Sequence, residues 1–173
     1  MKKLKLSNGY YTLVDDEDFE ELSKYNWHYK PTKKSRNTGY VIRNSTVYER
    51  KKLKYPWDIR LHRQIMNVIK TKEIIDHKDR NGLNNQRNNL RKCNTSENTI
   101  NSISYLPNKT SKYRGVYYKK DRNKYVCKIV KNRKSIYLGS FINEEDAAKV
   151  YDAKAIELHG EFALLNFKRE DYD

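Results

Sequence analysis

Apolar and aromatic residues fall into short alternating runs over the first part of the chain. Leu4 to Leu6, Tyr10 to Val14, Trp27 to Tyr29 and Tyr40 to Ile42 have the length and composition of strands. Ser7-Asn8-Gly9 is the expected first turn. Asp15-Asp16-Glu17-Asp18 precedes Phe19, Leu22 and Tyr25, which predicts a short helix with carboxylates in its first turn. Four clustered acids could instead hold a metal, but a helix start accounts for them without a ligand. Residues 31–37 and 49–56 are polar and basic, as loops or hairpin tips touching phosphate would be, although a solvated loop explains them almost as well. A helix is expected from Trp57 or Asp58 to about Asn67, with Leu61, Ile65 and Met66 on one face.

Glu73-Ile74-Ile75 reads as a buried strand delivering Asp76 and His77 at its end. An Asn-rich loop with Gly82 at its turn follows, then a second strand over Leu90 to Lys92. Asn94 can cap the next helix with Glu97 at its third position. Asn98 then falls in that helix's first turns, expected to face back toward the hairpin. After Leu106 to Thr110 the pattern becomes strands at about 114–119, 125–130 and 135–139, then a helix over about 144–158. Val116, Cys127, Ile129, Ile136 and Leu138 would alternate inward to meet Ala147, Ala148, Tyr151 and Ala155. The whole is an α+β chain of small modules. With 36% hydrophobic residues in 173, none can bury a large core.

Charge changes the picture more than size does. Lys and Arg number 37 against 22 Asp and Glu, a formal +15, which is the footprint expected of a nucleic-acid binder. Fifteen tyrosines add faces that can stack on bases, though tyrosines also build strands. Cys93 and Cys127 fall in separate modules, so a disulfide framework is not expected and a reducing compartment fits. The chain has no long apolar run and no signal-like N-terminus, which predicts a soluble, cytoplasmic protein without a membrane partner.

Asp76-His77 stands first in a longer pattern. Asn89 follows His77 by twelve residues, with Leu90 and Arg91 after it, and Asn98 follows Asn89 by nine. This set resembles the HNH (His-Me finger) nucleases, and within them the zinc-free, Asn-rich branch of phage-type homing endonucleases. The resemblance implies a ββα-metal motif over about 73–101 inside a nuclease domain of residues 1–104. It implies His77 as general base, Asp76 and Asn98 as ligands of a divalent ion (Mg²⁺ foremost, Mn²⁺ as an alternative), and Asn89 as a brace of the hairpin loop. The commoner form has His where Asn98 stands. With no Cys-x-x-Cys pair, no structural zinc is expected. Asp79 and Asn84 are read as loop caps rather than ligands, and Asn101 as the second choice of ligand. His62 would reach phosphate or pack as a structural residue, while His28 and His159 are read as structural or solvent-facing.

A second resemblance covers about Ser111 to Phe167. Arg114-Gly115-Val116, Tyr137-Leu138-Gly139-Ser140-Phe141, Glu145-Asp146-Ala147-Ala148, Tyr151-Asp152 and Leu165-Asn166-Phe167 are together similar to the AP2/ERF DNA-binding domain. That resemblance implies a three-stranded antiparallel sheet on one helix over 111–173, after a linker at 105–110. The face away from the helix would bind double-stranded DNA through Arg114, Tyr117, Lys119, Lys128, Tyr137 and Ser140. The expected protein is a metal-dependent DNA endonuclease, acting as a monomer and phage-encoded or mobile. The rival readings are a DNA-binding regulator with a non-catalytic HNH scaffold and a non-specific nuclease of structured DNA or RNA.

Overall fold

A computed structural model describes residues 1–32, 35–100, 110–132 and 134–172, with the backbone alone over 35–38. The expected linker at 105–110 lies, but for Thr110, outside them, as does Asn101. The chain divides into two compact units, Met1–Asn98 and Thr99–Asp173.

In the first unit, β1 (Lys2–Lys5) and β2 (Tyr11–Val14) form a hairpin. The turn between them places Gly9 at φ +85°. The acids at 15–18 begin α1 (Asp16–Leu22). A second sheet has the order β3 (His28–Thr32), β4 (Ser35–Asn44), β5 (Asp58–Arg60), all antiparallel.

Two expectations change here. The segment expected to be helical from residue 57 or 58 opens as β5, because Asp58, Ile59 and Arg60 pair with Asn44, Arg43 and Ile42, which buries Ile59. The helix α3 starts only at Leu61 and ends at Ile65. The basic stretch at 49–56 is partly helical: Thr46 accepts from the Glu49 amide while the Glu49 carboxylate accepts from the Thr46 amide, and this capping box starts α2 (Val47–Lys51). Pro31 and Thr32 end β3 and Ser35 opens β4, so the polar segment at 31–37 falls at the end of a hairpin, one of the readings left open for it. Trp27, Val41, Ile59, Leu61 and Ile75 share one core with Leu6, Val14 and Leu90.

Against that core lies a two-stranded ribbon, β6 (Ile74–His77) with β7 (Leu90–Cys93), followed by α4 (Thr95–Ile100). Asn94 and Glu97 form the capping box that starts α4.

The second unit is a meander of β8 (Val116–Lys119), β9 (Lys124–Lys131) and β10 (Lys134–Phe141), with β9 central, covered by α5 (Glu144–His159). Val116, Cys127 and Ile129 meet Ala147, Ala148, Tyr151 and Ala155, with Ile136 and Leu138 packed at the margin. A Cβ at Gly115 would stand 2.0 Å from the Tyr151 ring, so only glycine admits the helix this close. Among the described residues, no helix is long and apolar enough to cross a membrane.

Candidate functional site

Strand pairing sets Asp76 opposite Arg91 and His77 opposite Leu90. His77 is 5% exposed, and its Nε2 lies 3.1 Å from Oδ1 of Asn85, a wholly buried residue. The amide of Asn85 is oriented by its other contacts. Its Nδ2 donates to the Gly82 carbonyl at 3.0 Å and to Thr12 Oγ1 at 2.8 Å, and the Thr12 hydroxyl donates in turn to the Leu83 carbonyl. A carbonyl can only accept, so Nδ2 faces Gly82 and Oδ1 faces His77. This assigns the His77 proton to Nε2 and makes Nδ1 the basic nitrogen.

Burial pushes His77 below the usual imidazole pKa, against the opposing pull of Asn85, Asp79 and Asp76, so the ring is neutral near pH 7. His62 stands edge-on to it with ring centroids 5.0 Å apart, and Tyr40 lies against both imidazoles. Burial first, then His77, Arg60 and Arg63, drives His62 down to about 2. Its Nδ1 is buried without a hydrogen-bond partner. Of the two roles left open for His62, the structure shows the packed one.

Both imidazoles are neutral in the fold and would take up protons once released, so stability rises with pH across this range. The first unit is expected to lose thermal midpoint as pH falls from about 6.5 to about 5, above the range in which carboxylates titrate. His62→Phe should flatten that slope; a midpoint independent of pH over this window would refute the assignment.

The rest of the motif is a hydrogen-bonded loop. Asn89 Oδ1 accepts from the Asp79 amide at 3.1 Å, while its Nδ2 donates to Asp79 Oδ1 at 2.9 Å and to the Asn84 carbonyl at 2.8 Å. Asp79 also accepts from the Asn81 amide and from Asn84 Nδ2. Its carboxylate therefore organises the loop. Asp76 Oδ2 accepts from Arg91 Nε at 3.2 Å and Nη2 at 2.9 Å, a largely buried pair. Asn98 lies exposed on α4, with its backbone amide bonded to the Asn94 carbonyl. Among the described residues no group of three or more His, Cys, Asp or Glu converges as an ion site. The acids at 15–18 serve another end: Asp15 accepts from the Arg87 amide and Asp18 from the Arg87 guanidinium, tying α1 to the motif's loop.

Sequence reasoning missed Asn85. It sits in a run of asparagines with no local mark, and its partner Thr12 is 73 positions away. A buried amide so far from its partner has no signature that spacing can reveal.

In the second unit Tyr117 pairs with Val126 and Val126 with Ser140, while Lys128 pairs with Tyr137. Directly opposed residues share a face, so these side chains lie together on the side of the sheet away from α5. The Lys128 Nζ lies 5.6 Å from the Tyr117 ring centroid, Tyr137 hydroxyl bonds Ser140 Oγ at 2.8 Å, and Lys119 pairs with Asp121. Arg114 departs from the expectation. Its Nε donates to the Tyr151 hydroxyl at 3.0 Å and its Nη2 to the Ile100 carbonyl at 3.4 Å. It precedes β8 across the bend at Gly115, φ +75°, so strand alternation does not govern its direction.

Over 163 residues the chain is 31% identical to an uncharacterized HNH endonuclease of Acanthamoeba polyphaga mimivirus, an alignment covering 91% of this chain and 75% of that protein. Residues 111–161 match the AP2 domain model. An ethylene-responsive transcription factor of Arabidopsis thaliana is 47% identical over 57 residues, covering 32% of this chain and 31% of that protein. An AP2-like ethylene-responsive transcription factor from the same plant is 40% identical over 63 residues, covering 35% of this chain and 13% of that protein.

Proposed function

Since this chain belongs to the HNH endonuclease family and carries an AP2 domain, we propose that it is a metal-dependent DNA endonuclease of the homing or phage-mobile type. In this reading β6, β7 and α4 form the ββα-metal motif. The observation that carries the proposal is the hydrogen bond from His77 to Asn85, which leaves a neutral imidazole with a defined basic nitrogen at the end of β6.

His77 Nδ1 removes the proton from the water that attacks phosphorus. Asn85 keeps the ring from rotating and keeps its proton on Nε2. Asn89 holds the loop that carries both. Arg91 fixes the Asp76 carboxylate at the strand end. Asp76 and Asn98 offer a carboxylate and an amide oxygen, hard donors that suit Mg²⁺ or Mn²⁺ and leave most of the ion's shell for water and phosphate. When bound, the ion neutralises charge on the phosphate and stabilises the leaving 3′-oxygen. The AP2 domain holds duplex DNA on the open face of its sheet through Tyr117, Lys119, Lys128, Tyr137 and Ser140, and tethering raises the concentration of substrate at the nuclease. One such site in a monomer cuts one strand.

The test is a supercoiled plasmid carrying DNA from the source genome. Relaxed product is expected with Mg²⁺ and none with EDTA. Tight, salt-sensitive duplex binding without cleavage in either Mg²⁺ or Mn²⁺ would replace this reading with that of a DNA-binding regulator.

A further inference from the structure

Between positions 47 and 57 the first unit leaves large apolar side chains in solvent: Val47, Tyr48 at 64% and Trp57 at 61% exposed. An indole left in water is an uncommon use of a residue with so much area to bury. The surroundings are cationic, with Arg50, Lys51, Lys52 and Lys54 in the same stretch. The one acid of this stretch, Glu49, accepts from buried Arg43, and Asp58 just beyond it pairs with Lys30.

The arrangement is also fixed in place. The Arg50 guanidinium carbon lies 4.2 Å from the Trp57 ring centroid. Arg50 Nη1 donates to the Ser45 carbonyl, while the Ser45 amide and hydroxyl both donate to the Trp57 carbonyl, at 2.8 and 3.2 Å. One serine therefore anchors the cation and the backbone of Trp57, and the capping box anchors the helix that carries Tyr48 and Arg50. An exposed aromatic held ready, backed by a guanidinium and set in a lysine-rich segment, is complementary to a base with its phosphates.

We propose that Trp57, backed by Arg50, is a stacking platform for an unpaired base of DNA. Bases in an intact duplex already spend their faces on each other, so the platform's ligand is a single-stranded or locally opened segment. This rests on the DNA endonuclease reading and adds to it a second contact, distinct from the sheet face of the AP2 domain and indifferent to sequence.

The chain's two tryptophans make the test direct, because Trp27 is 1% exposed and donates to the Leu22 carbonyl. Solvent-accessible emission therefore reports on Trp57. Titration of the full chain with a dT oligonucleotide of about 20 nucleotides should quench that emission, and Trp57→Ala should weaken binding of the oligonucleotide about 10- to 100-fold. Duplex binding, followed by anisotropy of a labelled duplex, serves as the parallel measurement. If the duplex binds while saturating oligonucleotide leaves the emission of the wild-type chain unchanged, the platform is refuted and the endonuclease reading stands. If Trp57→Ala binds the oligonucleotide as the wild type does, the platform is likewise refuted. If neither DNA binds, both proposals fall.

Discussion

His77→Ala is expected to slow plasmid nicking by about 10²–10⁴, the usual worth of a general base, while affinity for duplex DNA stays within about twofold. Rates taken with enzyme in excess and anisotropy on a labelled duplex measure the two quantities separately. The separation follows from where the residues are: His77 lies at the end of β6 in the first unit, and the proposed duplex-binding face belongs to the second. Asn85→Ala should fall between the variant and the wild type. It retains the imidazole but removes the acceptor that keeps its proton on Nε2, and it leaves Thr12 and the Gly82 carbonyl without their donor. Near wild-type nicking by His77→Ala would end the general-base assignment, and loss of duplex binding in the same protein would point instead to a folding defect.

Asp152→Ala should destabilise the second unit by about 3–5 kcal/mol, among the larger effects a single substitution produces. Asp152 is fully buried on α5, and its carboxylate accepts from the Asn166 amide, Asn166 Nδ2, the Phe167 amide and the Tyr172 hydroxyl, all within 3.0 Å. Asn166 in turn accepts from the Arg114 amide and donates to its carbonyl. One carboxylate thus binds the C-terminal segment to the helix and, through Asn166, to the turn before β8. The alanine variant leaves these part-buried donors without their acceptor. Its thermal midpoint should fall by more than about 10 °C, read by calorimetry on the full chain. Burial, then the Asp152 hydrogen bond, push the Tyr172 phenol well above its usual pKa, and the part due to Asp152 should be lost with the carboxylate. A loss below about 1 kcal/mol would mean that the segment is held by packing of Leu165 and Phe167 alone.

Local pattern was enough for much of this fold. Alternation along β8, β9 and β10, and the small residues of α5, specify their own neighbours, because a sheet covered on one face writes its core at every second position. Asn94 and Glu97 announced α4 in the same local way. The failures have long-range causes. Asp58 to Arg60 form a strand because β4 has an open edge there, and nothing within the segment records that edge. Arg114 is held by Tyr151, 37 positions away, across the bend at Gly115 where strand alternation no longer applies. In the candidate site the sequence displayed Asp76, His77, Asn89 and Asn98 by spacing. It gave no sign that His62 packs on His77, or which of several asparagines meets the imidazole, since both depend on how separate segments come to rest on one core.

The link from Thr12 to Asn85, reinforced by the Arg87 clamp on Asp15 and Asp18, bears on how this molecule comes into being. The β1–β2 hairpin leaves the ribosome well before the loop of the HNH-like motif, and it is the surface on which that loop later settles. Closing a span of some seventy residues costs conformational entropy before the contacts at its end repay it, so the imidazole is oriented late, after its scaffold exists. A fragment beginning after the first sheet would carry every letter of the motif and still lack a directed proton acceptor. In the endonuclease proposed above, activity that waits on the docking of the β1–β2 hairpin would tie cleavage to completed folding.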